Sequence, residues 1–141
     1  MCTFATNLKI IMCFPLKIVR EFPITTLIIF VIWVICLIQI PKTPLSGLTL
    51  IDKWTHIAMY FVLSLIVAFE RWRNQRSKSF LAQFIFIFLL PALMGGLLEI
   101  IQATATGGRR SGEWLDFVAD AIGSAIALFI CILLAKCRAR A

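Results

Sequence analysis

Long apolar runs, separated by short charged groups, set the layout of this chain. Residues 22–40 carry no charge and are rich in Ile, Val and Leu. Their number is close to the ~20 residues a helix needs to cross a hydrocarbon core. Pro41 and Pro44 end that run. A second block covers about residues 54–69, and Glu70, Arg71, Arg73, Arg76 and Lys78 follow it as a polar connector. A third covers residues 80–101 with Pro91 in its middle. Such a proline kinks a membrane helix at tolerable cost when neighbouring helices satisfy the freed carbonyl. Residues 104–112 read as a loop, made flexible by Gly107 and Gly108. The fourth block covers about residues 114–135, and Lys136, Arg138 and Arg140 come after it.

Residues 1–21 are mixed. Lys9, Lys17 and Arg20 interrupt an apolar stretch, and Pro15 argues against one straight helix. An interfacial segment is expected there, apolar side in lipid and lysines toward headgroups. The pattern thus predicts an all-α membrane protein. Residues 1–21 form the interfacial segment, 22–135 a bundle of four transmembrane helices, and 136–141 a basic cytoplasmic tail. No separate soluble domain has room. Gln39-Ile40-Pro41-Lys42 is no small-residue cleavage site, so an uncleaved first span is expected.

Composition sharpens this class. The chain has 141 residues, 61% of them apolar, and a mean hydropathy of +0.96. A soluble domain of this size carries more polar surface. The net charge of +7 raises the question of nucleic acid, but the basic residues flank apolar blocks and form no basic helix or reading module. No nucleic-acid partner is expected. With both ends inside, the inner segments hold Lys9, Lys17, Arg20, Arg71, Arg73, Arg76, Lys78, Lys136, Arg138 and Arg140. The outer loops then hold only Lys42, Lys53, Arg109 and Arg110. The positive-inside rule therefore favours N-in, C-in.

That topology gathers polar residues at one depth. Asp52, His56 and Tyr60 follow at i, i+4 and i+8 on one helix face. At ~1.5 Å rise per residue, His56 lies about 6 Å deeper than Asp52. Glu99 and Gln102 share a face near the outer end of the third block, with Gly95 a turn below. In the fourth block Asp116 and Asp120 are i, i+4 partners, and Gly123 and Ala127 continue their stripe. Small residues below the polar layer let backbones approach closely. Carboxylates at membrane depth are costly, so they are usually paired, cavity-facing or functional.

Three motifs in order, Asp52-Lys53-x-x-His56-x-x-x-Tyr60, Glu99-x-x-Gln102 and Arg110-x-Gly112-x-x-x-Asp116-x-x-x-Asp120-x-x-Gly123, resemble the VanZ-like family of bacterial membrane proteins. The resemblance covers roughly residues 22–135. Spacing to Gly112, Asp116 and Gly123 assigns the family arginine to Arg110 rather than Arg109. Asp120 departs from the pattern, since many relatives carry asparagine there. The family takes its name from a glycopeptide-resistance gene cluster and is linked to teicoplanin resistance. The resemblance therefore implies a multi-pass protein of the bacterial cytoplasmic membrane acting at the cell envelope. It supplies a setting rather than a reaction.

Two chemistries fit the polar layer. In the first, Asp52, Lys53, His56, Tyr60, Glu99, Gln102, Arg110, Asp116 and Asp120 line a ligand pocket. Membrane lipids are its surroundings, and its ligand an anionic lipid, a lipid-linked envelope precursor or a glycopolymer. Arginine suits bidentate oxyanion recognition, and the carboxylates orient it. In the second, the layer is a membrane-embedded enzyme acting on a lipid-linked substrate. His56 is then the general acid or base, oriented by Asp116 or Asp120, with Arg110 stabilising negative charge. Ser111 has no recognisable base partner, so no serine nucleophile is assigned. A metal set of His56, Glu99, Asp116 and Asp120 is conceivable. No motif such as His-Glu-x-x-His is present, so neither a metal nor another cofactor is expected. A proton pathway is a weaker alternative, because Ser64 and Gln83 are the main polar residues deeper in the blocks.

Plainer roles stand beside these. An Arg110–carboxylate network that only locks helices together explains the same residues. Trp54 and Trp114 suit an interfacial belt, while Lys53 and Arg109 suit headgroups or water. Asp52 and Glu113 suit helix N-termini. Gly95, Gly96 and Gly123 suit packing, and Glu70 a solvated flank. Cys2, Cys13, Cys36, Cys131 and Cys137 fall inside the cell or within lipid, so no disulfide is expected.

Overall fold

The computed structural model describes residues 17–38, 49–76, 79–105 and 114–140. The described residues are helical almost throughout. The elements are α1 (Pro23–Leu37), α2 (Thr49–Arg73), α3 (Phe80–Gln83), a π-helical segment (Phe84–Leu89), α4 (Leu90–Ala105) and α5 (Trp114–Arg140). α3, the π segment and α4 run on without a break as the third apolar block. Three stretches are long and apolar enough to cross a membrane: Ile51–Arg73, Phe80–Thr104 and Trp114–Arg138. Of the expected interfacial segment, residues 17–21 are helical and residues 1–16 lie outside the described part.

The first apolar block folds into a shorter helix than its length suggests. α1 has 15 residues, about 22 Å at 1.5 Å per residue. That falls short of a ~30 Å hydrocarbon core. Pro23 begins it, where a missing N–H costs nothing. Its buried stripe is Ile32 and Cys36, which packs on Tyr60, Leu63, Val67 and Leu98. A second cluster, Ile87, Ala127 and Leu128, fills the other side of the bundle with Phe61, Leu65 and Phe88. Outward positions such as Leu27, Phe30, Phe80, Leu81 and Phe129 stay exposed, as expected of a surface facing lipid rather than water.

α2 and α5 form the closest helix pair. A Cβ on Gly123 of α5 would collide with the Ile57 carbonyl of α2 and touch the Phe61 amide. The two backbones therefore meet directly, the arrangement small residues permit between apolar helices.

Pro91 does not act alone on the third block. A proline ring clashes with the carbonyl four residues back and offers no N–H to it. The chain answers before the proline, over Phe84–Leu89, with i→i+5 bonding. The Leu90 N–H accordingly reaches the Ile85 carbonyl.

Glu70 is a correction to the expected solvated flank. It is fully buried. Its carboxylate accepts hydrogen bonds from the Ile24 N–H and the Thr25 N–H, both at 3.0 Å. These are first-turn donors of α1, which have no partner inside their own helix. Their alignment also favours an anion. Asn74 Nδ2 donates to the Glu21 carbonyl at 2.6 Å, and Arg76 pairs with the Glu21 carboxylate. The end of α2 thus grips the start of α1. At the other end of α1, Gln102 Nε2 of α4 donates to the Cys36 carbonyl at 2.8 Å. α1 therefore runs antiparallel to α2, from the Glu70 end of the bundle to the Gln102 end.

α2 closes with a left-handed residue, Gln75, at φ 49°. The Arg76 N–H bonds the Arg71 carbonyl and the Gln75 N–H bonds the Trp72 carbonyl, the two bonds of a Schellman motif. Glycine usually fills this position, because an L side chain is strained there. Gln75→Gly is expected to stabilise the fold by about 1 kcal/mol, read as a higher thermal midpoint in detergent. An unchanged or lower midpoint would refute that strain. The expected basic tail, by contrast, is no separate element: α5 continues through it to Arg140, and Arg138 lies 4.7 Å over the Trp72 ring.

Candidate functional site

Three helices bring polar side chains to the end of the bundle opposite Glu70. α2 contributes His56 and Tyr60 from successive turns of one face. α4 contributes Glu99 and Gln102, and α5 contributes Asp116 and Asp120. All six are buried. Helical spacing explains why each helix offers a pair: i, i+3 and i, i+4 neighbours stack on one side.

His56 is the hub. Its Nδ1 lies 2.9 Å from Asp120 Oδ1, and its Nε2 lies 3.9 Å from Asp116 Oδ2. An ionised Asp120 accepts its bond from Nδ1–H, which leaves Nε2 as the basic nitrogen. Lys53, half-buried one turn before His56, donates from Nζ to Asp116 Oδ1 at 2.5 Å. Lys53, expected either in the pocket or at headgroups and water, is thus engaged by Asp116. Asp120 is backed by α4, since a Cβ on Gly95 would overlap its carboxylate. Gly95 thus admits a carboxylate where any larger residue would expel it.

Several buried polar atoms have no hydrogen-bond partner among the described residues. They include Asp120 Oδ2, the Tyr60 hydroxyl and the hydroxyls of Ser64 on α2 and Ser124 on α5, with Thr25 Oγ1 and Trp33 Nε1 on α1 the others. Buried polar groups are rarely left unpaired, so each calls for water or a ligand. Ser124 was not singled out from sequence. Its signal is its place beside Gly123, at the close α2–α5 contact.

The expected site residues divide clearly. His56, Tyr60, Glu99, Asp116, Asp120 and Lys53 come together. Gln102 lies at the same end but reaches α1 through the Cys36 carbonyl. Asp52 is exposed on α2. Arg110 falls outside the described residues, as do Arg109, Ser111, Gly112 and Glu113. Trp54 and Trp114 flank this end and are largely exposed. Ligand atoms of His56, Glu99 and Asp120 lie within 4.8 Å of one another, and so do those of Asp52, His56 and Asp116. The arrangement can orient an imidazole for proton transfer, bind a cation, or present charge to a headgroup.

Comparison with protein-family models, curated proteins and solved structures finds no match for this chain.

Proposed function

We propose that this chain is a VanZ-like protein of the bacterial cytoplasmic membrane that binds an anionic envelope lipid or lipid-linked precursor. In this reading it crosses the membrane four times, N-in and C-in. The His56 end then faces outward, and the arginines that follow α2 and end α5 face the cytoplasm. The charge bias of the flanking segments supports that orientation. α1, shorter than the three membrane-length stretches, crosses with the help of the neighbours that cap both its ends. Binding lowers sensitivity to teicoplanin-type glycopeptides, the role that the family resemblance implies.

One observation carries the proposal: a buried, charged layer built from three helices at one end of an otherwise apolar bundle. Burying charge costs several kcal/mol per ion, roughly, and rarely stabilises a fold better than apolar packing would. Intramembrane ionisable residues are therefore functional by default. Arg110, between α4 and α5 in sequence, is the residue this reading assigns to the anion, because a guanidinium suits bidentate oxyanion recognition.

The hydrogen bond between His56 Nδ1 and Asp120 favours a second reading, a membrane-embedded enzyme acting on a lipid-linked phosphate or envelope precursor. There Asp120 holds the imidazole while Nε2 moves the proton.

Native mass spectrometry of the purified protein tests the binding reading. Wild type is expected to retain an anionic lipid or envelope precursor that Arg110→Ala loses at equal thermal stability. Identical lipid profiles in two equally stable proteins would overturn it and leave the polar layer a structural network. Accumulation of an unprocessed envelope lipid in cells carrying His56→Ala, at normal protein abundance, would move the assignment to catalysis.

A further inference from the structure

We propose that His56, Glu99 and Asp120 hold a divalent transition-metal ion. The three residues come from three different helices, and all are buried. One ligand atom from each lies within 4.8 Å of the others. A single ion with bonds of about 2.0–2.4 Å spans such a set.

A separate observation points to a ligand at this place. Asp120 is 1% exposed, yet its Oδ2 has no hydrogen-bond partner among the described residues. The Tyr60 hydroxyl is equally buried and unpartnered. It lies one turn from His56 on the same face, within electrostatic reach of both Asp120 and Glu99. The Asp120 Oδ2, held dry in an apolar bundle, is costly unless something positive meets it. An ion does so, and two ionised carboxylates around a neutral imidazole balance its charge.

The neighbouring set of Asp52, His56 and Asp116 is the weaker candidate. Asp52 is exposed, and Asp116 is engaged by Lys53. Ligand chemistry then narrows the ion. One imidazole with two carboxylates suits Zn2+ or Mn2+. Ca2+ asks for six to eight oxygens, roughly, and Cu(I) for sulfur. Three protein ligands leave a position open for water or an anionic oxygen.

The test uses the full chain in detergent, stripped with a chelator and titrated with Co2+ alone as a spectroscopic probe. The expected result is one equivalent per chain, visible d–d absorption, and displacement by Zn2+ or Mn2+. Glu99→Gln and Asp120→Asn keep shape and remove a ligand charge, and each is expected to weaken binding at least about tenfold. Thermal unfolding of wild type is expected to shift upward with Zn2+ or Mn2+, which gives a readout even if a variant does not fold. A folded wild type with neither stoichiometric binding nor a thermal shift overturns the proposal. So does unchanged affinity in both variants. Lipid retention is scored separately. Metal binding without retained lipid leaves this site standing and sinks the envelope reading, and lipid without metal does the reverse.

Discussion

Glu70→Ala is expected to detach the first helix from the bundle. The carboxylate accepts from the Ile24 and Thr25 N–H groups, and α1 has no side-chain cap of its own at that end. Hydrogen bonds to a charged group contribute about 1.5–3 kcal/mol each, so losing two costs ~3–6 kcal/mol. Arg73, 3.8 Å from the same carboxylate, loses its partner as well. The check is thermal unfolding of detergent-purified protein, with proteolysis in the segment after Leu37 as a local readout. Glu70→Gln keeps the shape but offers one acceptor oxygen, so it should fall between wild type and Glu70→Ala. Wild-type midpoints in both variants would show that α1 is held by its apolar face alone.

Gly123→Ala is expected to force the α2–α5 pair apart. The added carbon meets the Ile57 carbonyl and the Phe61 amide. Those are backbone atoms of a helix, so relief requires α2 and α5 to move apart and disturb His56 against Asp120. Overpacking of this kind costs typically 1–3 kcal/mol, and about 3 kcal/mol is expected where no side chain can yield. Gly96→Ala is the matched control. Its added carbon would meet the Phe117 ring at 3.1 Å, and a ring can turn away. Alanine's better helix propensity, worth up to ~1 kcal/mol, offsets much of that. Equal thermal midpoints for the two variants would contradict the close α2–α5 contact.

The apolar blocks and the shared depth of the polar residues were legible in the sequence. Both follow from spacing along single helices: His56 to Tyr60, Glu99 to Gln102, Asp116 to Asp120. Contacts between helices were legible only as a layer and not as partners. Glu70 shows why. It stands beside Arg71 and Arg73, the setting of a solvated end. Its partners are backbone amides 45 and 46 positions away, and backbone donors leave no mark in a sequence. Lys53 raised the same difficulty, since its sequence position suits a pocket or a headgroup contact alike, and only the fold sets Asp116 beside it. The length of α1 was misjudged because an apolar run records what tolerates lipid, not where a helix ends. Pro91 announced a disturbance, but its form depends on how the Phe84–Leu89 carbonyls find new partners.

The π segment also sets a rotational phase. Six residues wound with i→i+5 bonds turn through about 100° less than six wound as an α-helix. Everything after Leu89 is therefore indexed differently from everything before it. Phe84 and Phe88 pack against the α5 side of the core, while Glu99 and Gln102 are buried at the far end of the same rod. A uniform α-helix through this sequence would turn one of these faces outward. The segment works like a keyed joint in a shaft. Its extra residue lets one straight length of chain present an aromatic face to one half of the bundle and an acidic face to the other.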